Sequence, residues 1–169
     1  MAEETESVFV VGLRNAHAME NQALSTLRPQ LARIENYPAV AQRIEQHIVE
    51  TEGQIARLEG LLKQRGDSNS TFKDTALSIL GGLGALGHAT ASDEILKNSL
   101  ANFAFENYEI AAYKSLIALA EALDYASAVN VLQQNLAEEE AMAAWLDEHL
   151  ADVTLQYAGL REAGLTAKR

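Results

Sequence analysis

Apolar residues recur at steps of three and four along four stretches of the chain, and this spacing predicts four amphipathic helices. The predicted helices cover about residues 5–35, 38–64, 92–122 and 126–151. Short connections after the first and third helices make each of them an antiparallel neighbour of the next. Pro29 removes one backbone hydrogen bond, so we expect a kink near Ser25 rather than an end to the first helix. The pattern predicts an all-α antiparallel four-helix bundle.

Residues 67–92 have a different pattern, in which polar residues are followed by an apolar, glycine-rich run. We interpret this segment as a long crossover between the second and third helices, with a short helix near residues 72–80. Residues 82–87 have a GxGxxG spacing, but no strand precedes it, so a dinucleotide site is not expected. The run is also shorter than the roughly 20 apolar residues that span a membrane. Residues 152–169 are predicted to form a short packing helix that frays, within a single domain of 169 residues.

Composition supports the helical prediction and limits the partners. Hydrophobic residues make up 48% of the chain but aromatic residues only 6%, and there are two prolines. The formal net charge of -11 would repel nucleic acid and an anionic membrane surface, so neither partner is expected. The absence of cysteine excludes a disulfide framework and a thiolate metal site. The first seven residues do not resemble a signal peptide, so we expect a cytoplasmic location.

A glutamate lies near the middle of each predicted helix, within or beside its apolar stripe. These residues are Glu20, Glu50, Glu106 and Glu139, with Glu109 one turn after Glu106. On the third helix the predicted buried stripe consists of Leu96, Leu100, Phe103, Ile110, Tyr113 and Ile117, and Glu106 interrupts it. Because the midpoints of antiparallel helices meet, we expect the five carboxylates to converge at one level of the core.

Converging carboxylates need compensation. Removing one ionised carboxylate from water costs several kcal/mol, so four or five would exceed the total stability of a domain, about 5 to 15 kcal/mol. Two divalent ions bridged by the carboxylates would satisfy charge and geometry together, and hard oxygen ligands suit iron or manganese. The alternative is a bundle in which the glutamates reach solvent, share protons or pair with other groups.

Two histidines precede these glutamates by three residues, namely His17 before Glu20 and His47 before Glu50. Most di-metal bundles have the reverse order, Glu-x-x-His. We therefore treat His47, together with Gln54 on the same helix, as a candidate ligand or supporting residue, and give His17 less weight. The two remaining histidines are predicted to lie in a loop and at the surface.

Several segments resemble the YciE/YciF-like bacterial stress proteins, a branch of the ferritin-like superfamily. The most specific are HIVETEGQ over residues 47–54 and FENYEIAAY over residues 105–113, supported by AMENQ over residues 18–22 and LAEE over residues 136–139. The resemblance implies a ferritin-like four-helix bundle with one long crossover and a homodimer. It also implies a di-metal centre at the positions that match Glu20, Glu50, Glu106, Glu109 and Glu139.

Two functions follow as hypotheses. The first is a redox-active di-iron or iron–manganese protein that oxidises Fe(II) or reduces peroxide under stress, with oxygen or peroxide as its small oxidant. The second is a non-catalytic dimeric bundle that serves as a stress-related interaction or scaffold protein and retains a vestigial metal site. Metal content distinguishes them.

Overall fold

The computed structural model describes residues 2–67 and 88–169. Within these residues the chain forms four long helices and one short 3₁₀ turn, and no strand. The elements are α1 (Ala2–Leu31), α2 (Pro38–Gln64), the 3₁₀ turn (His88–Thr90), α3 (Glu94–Ala122) and α4 (Ala126–Glu162). The all-α prediction is confirmed. The short helix and the GxGxxG spacing predicted within residues 72–87 lie outside the described residues.

Contacts between helix ends define the topology. At the end of α1, Arg33 Nε donates to Glu94 Oε1 at the start of α3, over 2.6 Å. At the other end of the bundle, the Tyr125 hydroxyl, just after α3, donates to Glu6 near the start of α1. Helices α1 and α3 are therefore antiparallel, and so are α1 and α2, which a short turn connects. The chain leaves α2 at one end of the bundle and enters α3 at the other, which is the connectivity of a long crossover.

The first helix ends earlier than predicted. It stops at Leu31 rather than near Glu35, and Pro29 therefore lies in its last turn. After the bond from the Ala32 amide to the Arg28 carbonyl, the next amides bond to carbonyls only three residues back. The expected continuation of the helix to Glu35 is wrong, because this tighter turn ends α1 two residues after the proline.

The C-terminal segment also differs from the prediction. Helix α4 continues to Glu162 instead of giving way to a separate short helix, and Gly164, with φ of 69°, follows its C-cap. Such a positive φ costs glycine little, and here it turns the chain back toward the bundle. The Ile95 amide, in the first turn of α3, donates to the Lys168 carbonyl over 2.9 Å, and the Tyr37 hydroxyl donates to the Ala167 carbonyl over 2.6 Å. The tail is docked because it satisfies polar groups at this end of the bundle.

Two apolar clusters fill the interior, one toward each end of the bundle. The first includes Phe9, Leu13, Leu58, Leu62 and Leu132, and the second includes Leu24, Leu27, Ile44, Met142 and Leu146. Helices α1 and α3 approach closely beside the first cluster, since a methyl group at Gly12 would lie 2.7 Å from Leu116 Cδ2. On α1, α2 and α4 the buried residues between the clusters are polar. None of the described helices has the length and hydropathy of a membrane-spanning segment.

Candidate metal centre

The inward face of α3 is mainly polar rather than apolar. Its buried line begins with Ile95 and continues through Asn98, Asn102, Glu106, Glu109, Tyr113 and Leu116. Of the apolar stripe predicted for this helix, Tyr113 lies on that line, whereas the other members lie to its side, and Leu100, for example, is 56% exposed. The prediction was wrong for those members because apolar residues were assumed to mark the buried face. Glu106 nevertheless lies where the sequence predicted, in the core.

Each helix contributes at least one buried ionisable side chain between the two apolar clusters. These side chains are Glu20 on α1, His47 on α2, Glu106 and Glu109 on α3, and Glu139 on α4, and each is at most 2% exposed. The structure therefore brings four of the five predicted glutamates into the interior at the middle of the bundle. On α2 the inward group is an imidazole in place of the predicted carboxylate.

Four of these side chains form a group suited to hold a metal ion. His47, Glu106, Glu109 and Glu139 each offer one nitrogen or oxygen atom, and these four atoms lie within 4.8 Å of one another. His47 Nε2 is 3.3 Å from Glu106 Oε2 and 3.5 Å from Glu139 Oε2. His47 is therefore the basic side chain that faces Glu106 in the core.

Glu20 lies beside this group and is held by Tyr113. The Tyr113 hydroxyl donates to Glu20 Oε1 over 2.5 Å, while Asn135 Nδ2 donates to the Tyr113 oxygen over 3.0 Å. The second carboxylate oxygen of Glu20 is buried without a hydrogen-bond partner. Its negative charge contributes to raising the pKa of both Glu109 and Glu139. Glu20 is thus positioned to add a carboxylate oxygen to the group.

Glu50 and Gln54 have different positions. Gln54 is fully buried, and its amide nitrogen donates to Glu139 Oε1, so it supports that carboxylate from the side of α2. Glu50 does not join the group of close ligand atoms. It lies at the opposite edge of the His47 ring, where its Oε2 is 2.9 Å from His47 Nδ1.

The two His-x-x-Glu pairs have opposite orientations. On α1 the carboxylate of Glu20 faces the interior, and the His17 ring is directed toward α2, where its Nε2 lies 3.3 Å from Oε1 of the half-exposed Glu59. On α2 the His47 ring faces the interior, and the carboxylate of Glu50 lies on its outer side. A spacing of three places both residues on one side of a helix but does not decide which of them points inward.

Burial and mutual repulsion control protonation here. Burial raises the pKa of Glu109 and of Glu139, and the charges of the neighbouring carboxylates raise it further. Burial alone would lower the pKa of His47, but the nearby carboxylate of Glu106, the hydrogen bond to Glu50 and the negative charge around the ring raise it to about 10. Protons therefore supply the positive charge when no metal ion is bound.

The donor atoms fit a metal ion. Buried side-chain atoms without a hydrogen-bond partner are concentrated here: Glu20 Oε2, His47 Nε2, Glu106 Oε2, both carboxylate oxygens of Glu109, and Glu139 Oε2. Buried polar atoms are normally hydrogen-bonded, so a set of unpartnered atoms around one point needs an explanation. Carboxylate oxygens with one imidazole nitrogen are a common donor set for iron and manganese. The predicted alternative in which the glutamates reach solvent does not apply to these four buried glutamates.

Part of the supporting hydrogen-bond network was not predicted from the sequence. Tyr113 was interpreted as core packing, although its hydroxyl holds Glu20. Arg57 and Asn135 extend the same chain of hydrogen bonds, since Arg57 Nε donates to Asn135 Oδ1 over 2.5 Å. Helical spacing offered a signal, because Tyr113 follows Glu106 by seven residues and Asn135 precedes Glu139 by four, which places each pair on one face.

Comparison with known proteins identifies the family. The family described as "Domain of unknown function (DUF892)" matches residues 4–159. The chain belongs to this family. It is 32% identical to the protein YciF of Escherichia coli K12 over 142 residues, which cover 80% of this chain and 84% of that protein.

Two solved structures have a similar fold. A protein from Xanthomonas campestris pv. campestris aligns with a TM-score of 0.78 and 28% identity, covering 94% of this chain and 99% of the other. The Escherichia coli stress protein YciF aligns with a TM-score of 0.70 and 26% identity, covering 88% and 95% respectively. The resemblance to YciE/YciF-like proteins is therefore confirmed.

Proposed function

We propose that the buried cluster binds two divalent metal ions, iron or manganese, and that this ferritin-like protein uses them in a redox reaction under stress. The link to stress comes from the relative described as a stress protein. The observation that carries the proposal is the group of four side chains whose ligand atoms converge within 4.8 Å, with Glu20 beside them.

Charge favours two ions over one. Glu20, Glu106, Glu109 and Glu139 carry a formal charge of about −4 when all are ionised, and two divalent ions balance it while His47 is neutral. A single ion would leave buried charge that protons must still neutralise. In ferritin-like di-iron and di-manganese proteins, the ligands likewise project inward from all four helices.

The proposed reaction is oxidation of Fe(II) by hydrogen peroxide. Two Fe(II) ions bound here would supply the two electrons that, with two protons, convert one hydrogen peroxide into two waters and leave two Fe(III) ions. The chain holds the proposed ligands on four packed helices. The two apolar clusters, one on each side of the site along the bundle, exclude water. Such enclosure limits side reactions of a reactive oxidant.

Metal content tests this proposal against the scaffold alternative. Protein expressed with iron or manganese and then dialysed should retain about two ions per chain by elemental analysis. Peroxide added to the Fe(II)-loaded protein should give Fe(III) absorbance with about one peroxide consumed per two irons. If no metal is retained, and melting temperatures with and without added metal are equal, the scaffold function stands instead.

We also propose that the protein is a homodimer. Leu100 and Tyr108 on α3 are more than half exposed, and a second copy would shelter such residues from water. From the sequence, the apolar residues Leu83 and Leu86 of the glycine-rich crossover also favour a dimer, and they lie outside the described residues. Light scattering at micromolar concentration should give twice the chain mass of 18.4 kDa. A monomeric mass would exclude the dimer.

A further inference from the structure

The carboxylate of Glu50 is held by three side chains of its own helix. Its Oε2 accepts from Arg43 Nη1 over 3.0 Å and from His47 Nδ1 over 2.9 Å, and its Oε1 accepts from Gln46 Nε2 over 2.7 Å. These donors precede Glu50 by seven, three and four residues, so one face of α2 carries the whole arrangement. Both carboxylate oxygens are thus already engaged.

This arrangement fixes the imidazole of His47. A carboxylate can only accept, so the hydrogen on Nδ1 points to Glu50. The opposite ring nitrogen, Nε2, then faces Glu106 at 3.3 Å and Glu139 at 3.5 Å. In the same turn of α2, the Thr51 hydroxyl donates to the backbone carbonyl of His47 over 2.8 Å. Glu50 therefore determines both which nitrogen is available to the cluster and how the ring is oriented.

Glu50 also borders open space on its outer side. A groove of about 390 Å³ lies between α2 and α4, and its lining includes Arg43, Glu50, Trp145 and His149. The side chain of Glu50 is 19% exposed, whereas that of His47 is 1% exposed. The His47 ring thus separates Glu50 from the buried group. To reach a metal ion in that group, Glu50 would have to give up three hydrogen bonds and pass the ring.

We propose that Glu50 is a positioning residue that aims His47 Nε2 at the metal ions, and that it is not itself a ligand. This inference rests on the proposed function, and it revises the role that the sequence predicted for Glu50. Histidine ligands of metal ions commonly donate their other ring N–H to a carboxylate, and loss of that carboxylate typically weakens metal affinity 10- to 100-fold. Here the carboxylate and the ring come from one turn of the same helix.

The experiment compares Glu50→Ala and Glu50→Gln with the wild-type protein in Mn²⁺ titrations by calorimetry. Glu50→Ala should lower the affinity about 10- to 100-fold without changing the number of ions bound at saturation. Glu50→Gln should recover part of the affinity, because the amide oxygen can still accept from Nδ1–H. Glu45→Ala is the matched control, since Glu45 is an exposed glutamate on the same helix.

A second readout examines the ring directly. In ¹H–¹⁵N spectra of the metal-free protein, the Nδ1–H signal of His47 should be observable and protected from exchange, and it should be lost in Glu50→Ala. If Glu50→Ala instead reduces the number of bound ions, Glu50 is a ligand and the proposal is overturned. If affinity and the ring signal are both unchanged, the positioning role is also wrong. Failure of the wild-type protein to bind any Mn²⁺ would overturn the metal centre itself, and is recognised before any variant is made.

Discussion

The Glu106→Ala variant is expected to lose at least one of the two metal ions that the wild-type protein retains. Glu106 is 2% exposed, and its Oε2 lies 3.3 Å from His47 Nε2, at the place where the ligand atoms converge. Alanine removes a carboxylate ligand and its negative charge together, so the remaining side chains offer too few ligand atoms and too little negative charge to bind a second cation. Elemental analysis after dialysis measures this, with circular dichroism to show that the variant is folded.

Glu59→Ala provides the control for that experiment. Glu59 lies on α2, but its side chain is 48% exposed and pairs with His17, and it is not part of the group of converging ligand atoms. Its removal should leave the ion count of the wild-type protein unchanged. Equal ion counts for the Glu106 variant and the wild type would show that the metal lies elsewhere, whereas equal losses in both variants would indicate a non-specific effect of lower charge.

The helical architecture could be predicted because periodicity and helix-ending residues agree along most of the chain. For α2 the predicted bounds, residues 38–64, coincide with the structure, since Pro38 starts the helix and Gly66 follows its end. The end of α4 at Glu162, later than predicted, could not be derived from the apolar pattern of that helix alone. Its last turns pack against the second apolar cluster through Val153, Tyr157 and Leu160, a contact with residues that are distant in the sequence.

The candidate site was predictable in composition but not in orientation. Glu20, Glu106, Glu109 and Glu139 interrupt or adjoin apolar stripes near helix centres, which is sufficient to place them at one level. The choice between His47 and Glu50 as the inward group depends on rotation of α2 and on the partners Arg43 and Gln46. His47 and Glu50 are three residues apart and lie on one side of the helix, so only the packed structure shows which of them faces the cluster.

The second large effect is a fall in the stability of the metal-free protein as the pH rises. Burial raises the pKa of Glu20 from 4.5 to about 8, although the Tyr113 hydrogen bond opposes this. An acid whose pKa rises on folding stabilises the native state. This contribution to stability is complete only at pH values below the pKa of the same group in the unfolded state. That contribution is lost as the pH rises from 4.5 toward 8. His47, raised from 6.5 to about 10, loses its contribution over the higher range.

The size of this loss of stability follows from the linkage between proton binding and folding. Each proton that only the folded protein holds costs about 1.4 kcal/mol of stability per pH unit, so Glu20 alone should cost about 2 to 3 kcal/mol between pH 6 and pH 8. In a chain of this length such a loss corresponds to a fall in melting temperature of about 5 to 10 °C. Burial would raise the pKa of Glu50, but its bonds to His47, Arg43 and Gln46 lower it to about 2. The stability that Glu50 contributes is therefore lost only as the pH falls from 4.5 toward 2, outside the range from pH 6 to pH 8.

Bound metal ions should reverse this trend, because they replace the protons that the carboxylates and His47 otherwise hold. The difference in melting temperature between metal-loaded and metal-free protein should therefore widen from pH 6 to pH 8, as measured by calorimetry in chelator and in Mn²⁺. In the metal-free protein, Glu20→Gln should flatten the pH dependence, since the amide keeps an acceptor for Tyr113 but has no proton to lose. A metal-free melting temperature that stays constant or rises over this range would show that Glu20 is ionised in the folded state. In that case a neighbouring cationic group, rather than a bound proton, would have to compensate the buried carboxylates.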